Sequence, residues 1–178
     1  MDADAMSALA EELHAWHEFY LLLGTSAAAL TGLMFVVVSI SPETIATRPF
    51  AGIRAFVSPT VVYFTTVLVV SGAMMAPHLG LRPLALLLGL GGIAGLAYML
   101  WIDAHRQWRE AKLEGDDWFW YIGMPALSYL LLLIVGIALW FDKAFGAWML
   151  AFAMVLLLVT GIRNGWDLAI WMAQRRRS

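Results

Sequence analysis

The chain has no cysteine and few charged residues. Without a thiol it can form no disulfide, no thiolate metal site and no cysteine nucleophile. Charged residues make up 13% of the 178 residues and hydrophobic residues 62%, whereas soluble domains are about 25% charged and about 45–50% apolar. The formal net charge is only −2, so we predict no nucleic-acid partner. The composition is typical of an integral membrane protein in contact with membrane lipids.

Enzyme motifs are also missing from the sequence. It has no H-E-x-x-H, no nucleophile elbow and no P-loop. No acidic residue lies near the middle of a long apolar segment, which disfavours a transporter built on buried carboxylates. The acidic start, MDADAMSALAEEL, lacks the basic region of a cleaved signal peptide, so we expect the first apolar segment to be retained. The sequence favours a protein that is not an enzyme.

What the chain has instead is a series of long uncharged segments. About 20 apolar residues are enough for a helix to cross a bilayer. We therefore predict an all-α fold, a single transmembrane domain over 1–178 that forms a five-helix bundle and ends in a cytoplasmic helical tail at 164–178. The predicted spans are 16–40, 55–77, 83–102, 118–141 and 145–163.

The basic residues predict the orientation, because Lys and Arg concentrate in cytoplasmic segments. With five spans, one side holds Arg82 and Lys143, and the other side holds the remaining nine of the 11 basic residues. The prediction is N-out and C-in, in a bacterial inner membrane. Tryptophans favour the headgroup level, and all nine lie at predicted span ends or in cytoplasmic segments. They support the predicted span boundaries.

Small residues at four-residue spacing occur in three of the predicted spans. Helices in lipid associate through close packing and interhelical hydrogen bonds, because lipid tails are as apolar as the helices themselves. Packing within one chain is the commoner use of such residues, and contact between copies is the alternative. The predicted packing residues are Gly24, Ala28 and Gly32 in span 1, Gly91 and Gly95 in span 3, and Gly161 and Gly165 in span 5.

Histidines at the predicted outer ends of spans form a candidate metal site. His14, His17 and Glu18 lie within roughly 100° of one another on a helix, and His78 ends an adjacent span. Imidazole and carboxylate groups could bind zinc or copper, and His17 with His78 is a weaker candidate for haem. The alternative, which we favour, is that these side chains cap helix ends or hydrogen-bond to lipid headgroups. The cofactor is therefore left unknown.

A second candidate cluster lies near the inner end of span 5. Arg163 and Asp167 are four residues apart, a spacing that permits a salt bridge. Within the membrane such a pair indicates function, whereas an Arg163 at the membrane surface is an ordinary snorkelling residue, and we favour this second interpretation. Beyond it, the tail residues Arg175, Arg176 and Arg177 are predicted to contact anionic lipid.

Three functional hypotheses follow from these features. The leading one is an oligomeric, channel-like or small-solute permeation subunit, because a bundle this small encloses at most a narrow path and cyclic symmetry offers a wider one. The second is an accessory or scaffold protein that binds another membrane protein. The third is a metal- or haem-binding protein that uses the outer histidines.

Overall fold

The structure is a computed structural model that describes residues 11, 15–40, 51–77, 79–105, 119–141 and 146–175. These residues form five long helices and, within the described ranges, no strand. The helices are α1 (His17–Ile40), α2 (Ala51–Met75), α3 (Leu81–His105), α4 (Met124–Trp140) and α5 (Gly146–Arg175). A π-helical turn, Phe119–Gly123, leads into α4.

Four of the helical segments are long and apolar enough to cross a membrane: His17–Val37, Leu81–Trp101, Phe119–Trp140 and Ala147–Ile170. The apolar part of α2, Pro59–Met75, is shorter. The predicted all-α membrane bundle is thereby confirmed, and the chain is an integral membrane protein. Its orientation and the kind of membrane remain predictions.

The ends of two helices add detail to the predicted spans. α5 continues without a break to Arg175, so the predicted tail from residue 164 is helical as far as Arg175 and forms one helix with the fifth span. No proline or glycine pair interrupts the helical pattern after Arg163. Near the start of α4, Pro125 has no backbone N–H to donate to the carbonyl of Tyr121. The preceding turn widens into the π-helical turn, a form typical of sites where the regular bonding pattern is interrupted.

Contacts between the helices show that successive helices run in opposite directions. Gly24, early in α1, lies against Ser71, late in α2. Gly136, late in α4, lies against Ala85 and Gly89 in the first half of α3. The predicted orientation, which assigns the basic residues to two sides of the membrane, assumes the same alternation of helix direction.

The bundle therefore has two ends. At the first, the Trp16 end, α1, α3 and α5 begin; Trp16 contacts Trp148 with ring centroids 4.5 Å apart. At the second, the Trp120 end, α4 begins, and Trp120 lies beside Arg163 of α5.

The helices associate as two pairs joined by α5. α1 packs mainly on α2, α3 packs mainly on α4, and α5 lies against both α2 and α4. In the membrane-crossing part of α5, 56% of the residues are buried, compared with 28% in α1. The centre is filled by large side chains that are almost fully buried: Tyr63, Phe64, Tyr129, Leu132, Leu150, Met154 and Leu157. The middle of the chain is therefore packed with side chains.

Candidate functional site

The candidate histidine site at the Trp16 end is only partly described. His17 is half-buried and Glu18 is exposed in the first turn of α1, while His14 and His78 lie outside the described residues. Among the residues that the structure describes, no group of three or more His, Asp or Glu side chains could hold a metal. The metal and haem hypotheses remain predictions.

At the Trp120 end, the two candidate residues of α5 each contact the segment that leads into α4. The Arg163 guanidinium carbon lies 4.6 Å from the ring centroid of Trp120, a cation–π contact. Asp167 Oδ2 accepts a hydrogen bond of 2.8 Å from the Tyr121 hydroxyl. The side chain of Arg163 is exposed and that of Asp167 half-buried. These contacts join α5 to the π-helical turn, and the Arg163–Asp167 ion pair stays a prediction.

Sequence reasoning missed both contacts. Trp120 and Tyr121 are far from α5 along the chain, and a single sequence contains no signal that pairs such distant residues. The tryptophan positions by themselves predict only the headgroup level. The tail is described less completely: Arg175 ends α5, and Arg176 and Arg177 lie outside the described residues, so their lipid contact stays a prediction.

Two separate hydrogen-bonded groups in the interior of the bundle involve hydroxyl side chains of α2. Thr66 Oγ1 donates to the backbone carbonyl of Val62 at 2.8 Å, so the Tyr129 hydroxyl, 3.2 Å away, is the donor in the bond between the two side chains. The Tyr63 hydroxyl donates to Met99 Sδ at 3.6 Å. These bonds connect α2 with α3 and α4, the ordinary use of polar groups inside a membrane bundle.

Three other buried polar atoms have no hydrogen-bond partner in the described part of the chain. They are Tyr20 Oη in α1, Ser71 Oγ in α2 and Asn164 Oδ1 in α5. Tyr20 and Ser71 lie toward the Trp16 end and Asn164 toward the Trp120 end, so the three atoms do not form one site.

The predicted packing residues fall into two groups. Gly24, Gly95, Gly161 and Gly165 lie against another helix, where an added Cβ atom would meet Ser71, Tyr129, Phe64 and Met34, respectively. Gly32 and Gly91 have no such neighbour within 4 Å, and Ala28 is exposed. The expected packing within the chain is therefore seen at only four of these positions.

Two glycines outside the predicted packing set, Gly92 and Gly136, lie against the backbone of a neighbouring helix. A Cβ atom on Gly136 would lie 2.5 Å from the backbone N of Gly89 and 2.9 Å from the carbonyl oxygen of Ala85. One on Gly92 would lie 2.6 Å from the backbone N of Leu133. Gly136 is an isolated glycine among large apolar residues, which is the signal that could have found it.

One side of α1 is left uncovered by the other residues that the structure describes. We call it the α1 face. Its hydroxyl groups bond within their own helix: Thr25 Oγ1 donates to the Leu21 carbonyl at 2.9 Å, and Ser39 Oγ donates to the Phe35 carbonyl at 2.8 Å. The small and polar residues of the α1 face are the exposed Glu18, Thr25, Ala28, Gly32 and Ser39, and two exposed apolar residues, Leu21 and Val36, lie among them.

Comparisons with known proteins add no assignment to this geometry: the chain matches no family model, no curated protein and no solved structure. The class of protein, a helical integral membrane protein, rests on the helices themselves.

Proposed function

We propose that this protein is the subunit of a homo-oligomeric, channel-like pathway lined by the α1 face. The observation that carries the proposal is the combination of small and hydroxyl-bearing residues on an exposed side of a membrane-crossing helix. A helix that contacts only lipid has no need of such residues, whereas a helix that meets other helices or water does.

The geometry of the monomer supports a path between copies. The interior of the chain is filled by Tyr63, Tyr129 and Leu157, each with at most 1% of its surface exposed. Cyclic symmetry would bring the α1 faces of several copies around a common axis. Leu22 and Leu33 flank the face on one side and Phe35 on the other, and the exposed Leu21 and Val36 lie on the face itself. These large residues would pack against neighbouring copies or lipid.

Charge indicates which solutes such a path would favour. Glu18 is exposed at the Trp16 end of the face, and the symmetry would place one carboxylate from each copy around the entrance. Rings of acidic side chains attract cations. Further along, Thr25 and Ser39 present hydroxyl oxygens that can replace part of a cation's hydration shell. The proposed solutes are therefore small cations.

The test uses the absence of cysteine, because a single introduced thiol is the only target for a thiol reagent. Ala28→Cys places that thiol in the middle of the α1 face. Ala94→Cys is the matched control, since Ala94 is an exposed alanine in the middle of α3. Each purified variant is reconstituted into liposomes, and K⁺ and Na⁺ flux is measured before and after a small, positively charged methanethiosulfonate reagent is added.

We expect flux from the protein alone, blocked by the reagent in Ala28→Cys and unaffected in Ala94→Cys. Equal insensitivity of the two variants would show that α1 does not line the path. Absence of flux for both ions, with Ala28→Cys unreactive, would reject the proposal and favour the accessory or scaffold hypothesis.

A further inference from the structure

An apolar groove runs along the outer side of the contact between α3 and α4, away from α1. Its volume is about 300 Å³. One wall is formed by Leu86, Leu90 and Ile93, which are exposed on α3. The other wall, on α4, ends at the exposed aromatic residues Trp140 and Phe141.

The groove exists because the residues between these two walls, Gly89 and Gly136, have no side chains. Gly89 and Gly136 both line it, and the backbones of α3 and α4 approach each other closely at this point. A Cβ atom added to Gly89 would meet nothing within 4 Å. The space above Gly89 is thus open to whatever surrounds the protein.

One cation lies at the mouth of this groove. Arg82, in the first turn of α3, places its guanidinium carbon 4.9 Å from the ring centroid of Trp140. The groove also begins one turn below Arg82, at Ala85 and Leu86. A guanidinium stacked on an aromatic ring keeps its N–H groups at the ring edges, where they can donate to a phosphate.

We propose that this groove is a binding site for an anionic phospholipid, with the phosphate at Arg82 and one acyl chain in the groove. Arg–phosphate hydrogen bonds are charge-assisted and geometrically specific. The surfaces below Arg82 are apolar, as an acyl chain requires. An anionic headgroup is favoured over a zwitterionic one because it brings no cation of its own next to Arg82.

Charge and lining distinguish a lipid from a helix of another protein. Arg82 beside Trp140 provides a cation for a phosphate at one end of the groove. Below it, the lining residues are apolar from Ala85 and Leu86 to Ile93. The headgroup and one acyl chain of a lipid match these two features together, so we assign the groove to a lipid rather than to a second copy of the chain.

The experiment measures lipid binding to the intact, detergent-solubilised protein by native mass spectrometry. Dioleoylphosphatidylglycerol and dioleoylphosphatidylcholine are titrated separately. Gly89→Leu places a side chain in the groove at a position where the added Cβ meets nothing within 4 Å, and Arg82→Gln removes the cation. The matched control is Gly91→Leu, because Gly91 also has open space beside it but does not line the groove.

We expect one phosphatidylglycerol to bind the wild-type protein about tenfold more tightly than phosphatidylcholine, the effect of one charge-assisted hydrogen bond. Arg82→Gln should abolish that preference. Gly89→Leu should weaken phosphatidylglycerol binding by a similar factor, whereas Gly91→Leu should leave it unchanged.

Two results would overturn the proposal. One is equal binding of phosphatidylglycerol to Gly89→Leu and Gly91→Leu, which would show that the groove is not the site. The other is an equal affinity of the wild-type protein for the two lipids, which would show that Arg82 does not select an anionic headgroup.

Discussion

The contact between α3 and α4 and the α1 face use the same kinds of residue for different purposes. Both contain small residues at helical spacing. Between α3 and α4, Gly136 lies so close to Gly89 and Ala85 that no side chain fits. On α1, Gly32 has nothing within 4 Å of the place where a side chain would begin. The spacing of small residues therefore shows that another helix can pack closely there. Whether a helix of the same chain does so depends on where the neighbouring helices lie.

The three small residues Gly24, Ala28 and Gly32 of α1, which we call the α1 ridge, show the same difference within a single helix. Gly24 is buried against Ser71, where an added Cβ would lie 3.0 Å from the Ser71 Cβ, whereas Ala28 and Gly32, further along, are exposed. Residues four apart are separated by about 40° around a helix. Over two such steps the ridge turns from the interior to the surface, so it connects the bundle's own packing with the α1 face.

The largest effect is expected at the contact between α3 and α4. Gly136→Val would push a branched side chain into the backbone of Gly89 and Ala85, which are 2.5 and 2.9 Å from the position of the new Cβ. Backbone atoms cannot move aside as a flexible side chain does. We expect the free energy of unfolding to fall by about 3 kcal/mol, measured by titration with sodium dodecyl sulfate in mixed micelles.

Gly91→Val is the control for this prediction, since it makes the same change on α3 where a Cβ meets nothing within 4 Å. Its unfolding free energy should stay within about 0.5 kcal/mol of the wild-type value. If the two variants were equally stable, the close approach of α3 and α4 would not be a feature of the protein in lipid or detergent.

A smaller effect is expected from the hydroxyl groups beside this contact. Tyr129→Phe keeps the ring that packs on Gly95 and removes only the hydrogen bond to Thr66. Bonds of this kind in membrane proteins contribute about 0.6 kcal/mol on average. The same denaturant titration should show a loss of that size, and Thr66→Val combined with Tyr129→Phe should lose little more. A loss as large as that in Gly136→Val would mean that hydrogen bonds, rather than backbone contact, hold α3 and α4 together.

Much of the fold could be predicted from the sequence because lipid imposes simple rules. A helix that crosses a bilayer needs a long apolar segment, and the runs around Leu22, Leu90 and Leu131 provide one each. The ends were harder to place. α5 passes through Arg163 because its helical pattern continues beyond the apolar segment, and the π-helical turn before Pro125 depends on local backbone bonding.

The candidate sites were less predictable because they depend on which helices are neighbours. Tyr121 and Asp167 are far apart in the chain, as are Arg82 and Trp140, and only the packing of α3, α4 and α5 brings each pair together. Gly136 shows the same limit. An isolated glycine among large apolar residues suggests a close approach there, but only the structure shows that the partners are Gly89 and Ala85 of α3.

The smallest effect on stability, and the sharpest test of the comparison, is expected from Gly32→Leu. Because nothing lies within 4 Å of the new Cβ, the unfolding free energy of the monomer should change by less than about 0.5 kcal/mol. If the α1 faces of several copies meet, however, the added side chain would hold them apart. The oligomer should then dissociate to monomers in size-exclusion chromatography with light scattering, and flux from liposomes should be lost.

Gly24→Leu, on the same ridge, should lower the stability of the fold, whereas Gly32→Leu should disrupt only the oligomer. The position of its new Cβ is 3.0 Å from the Cβ of Ser71, so one of the two helices must shift, and we expect the unfolding free energy to fall by about 2 kcal/mol.

A folded, fully oligomeric Gly32→Leu protein would exclude the α1 face as the contact between copies. If Gly32→Leu loses the oligomer but keeps its unfolding free energy, packing within the chain and contact between copies are separate roles of the ridge. A substitution that merely damaged the fold would lower the stability and disrupt the oligomer together.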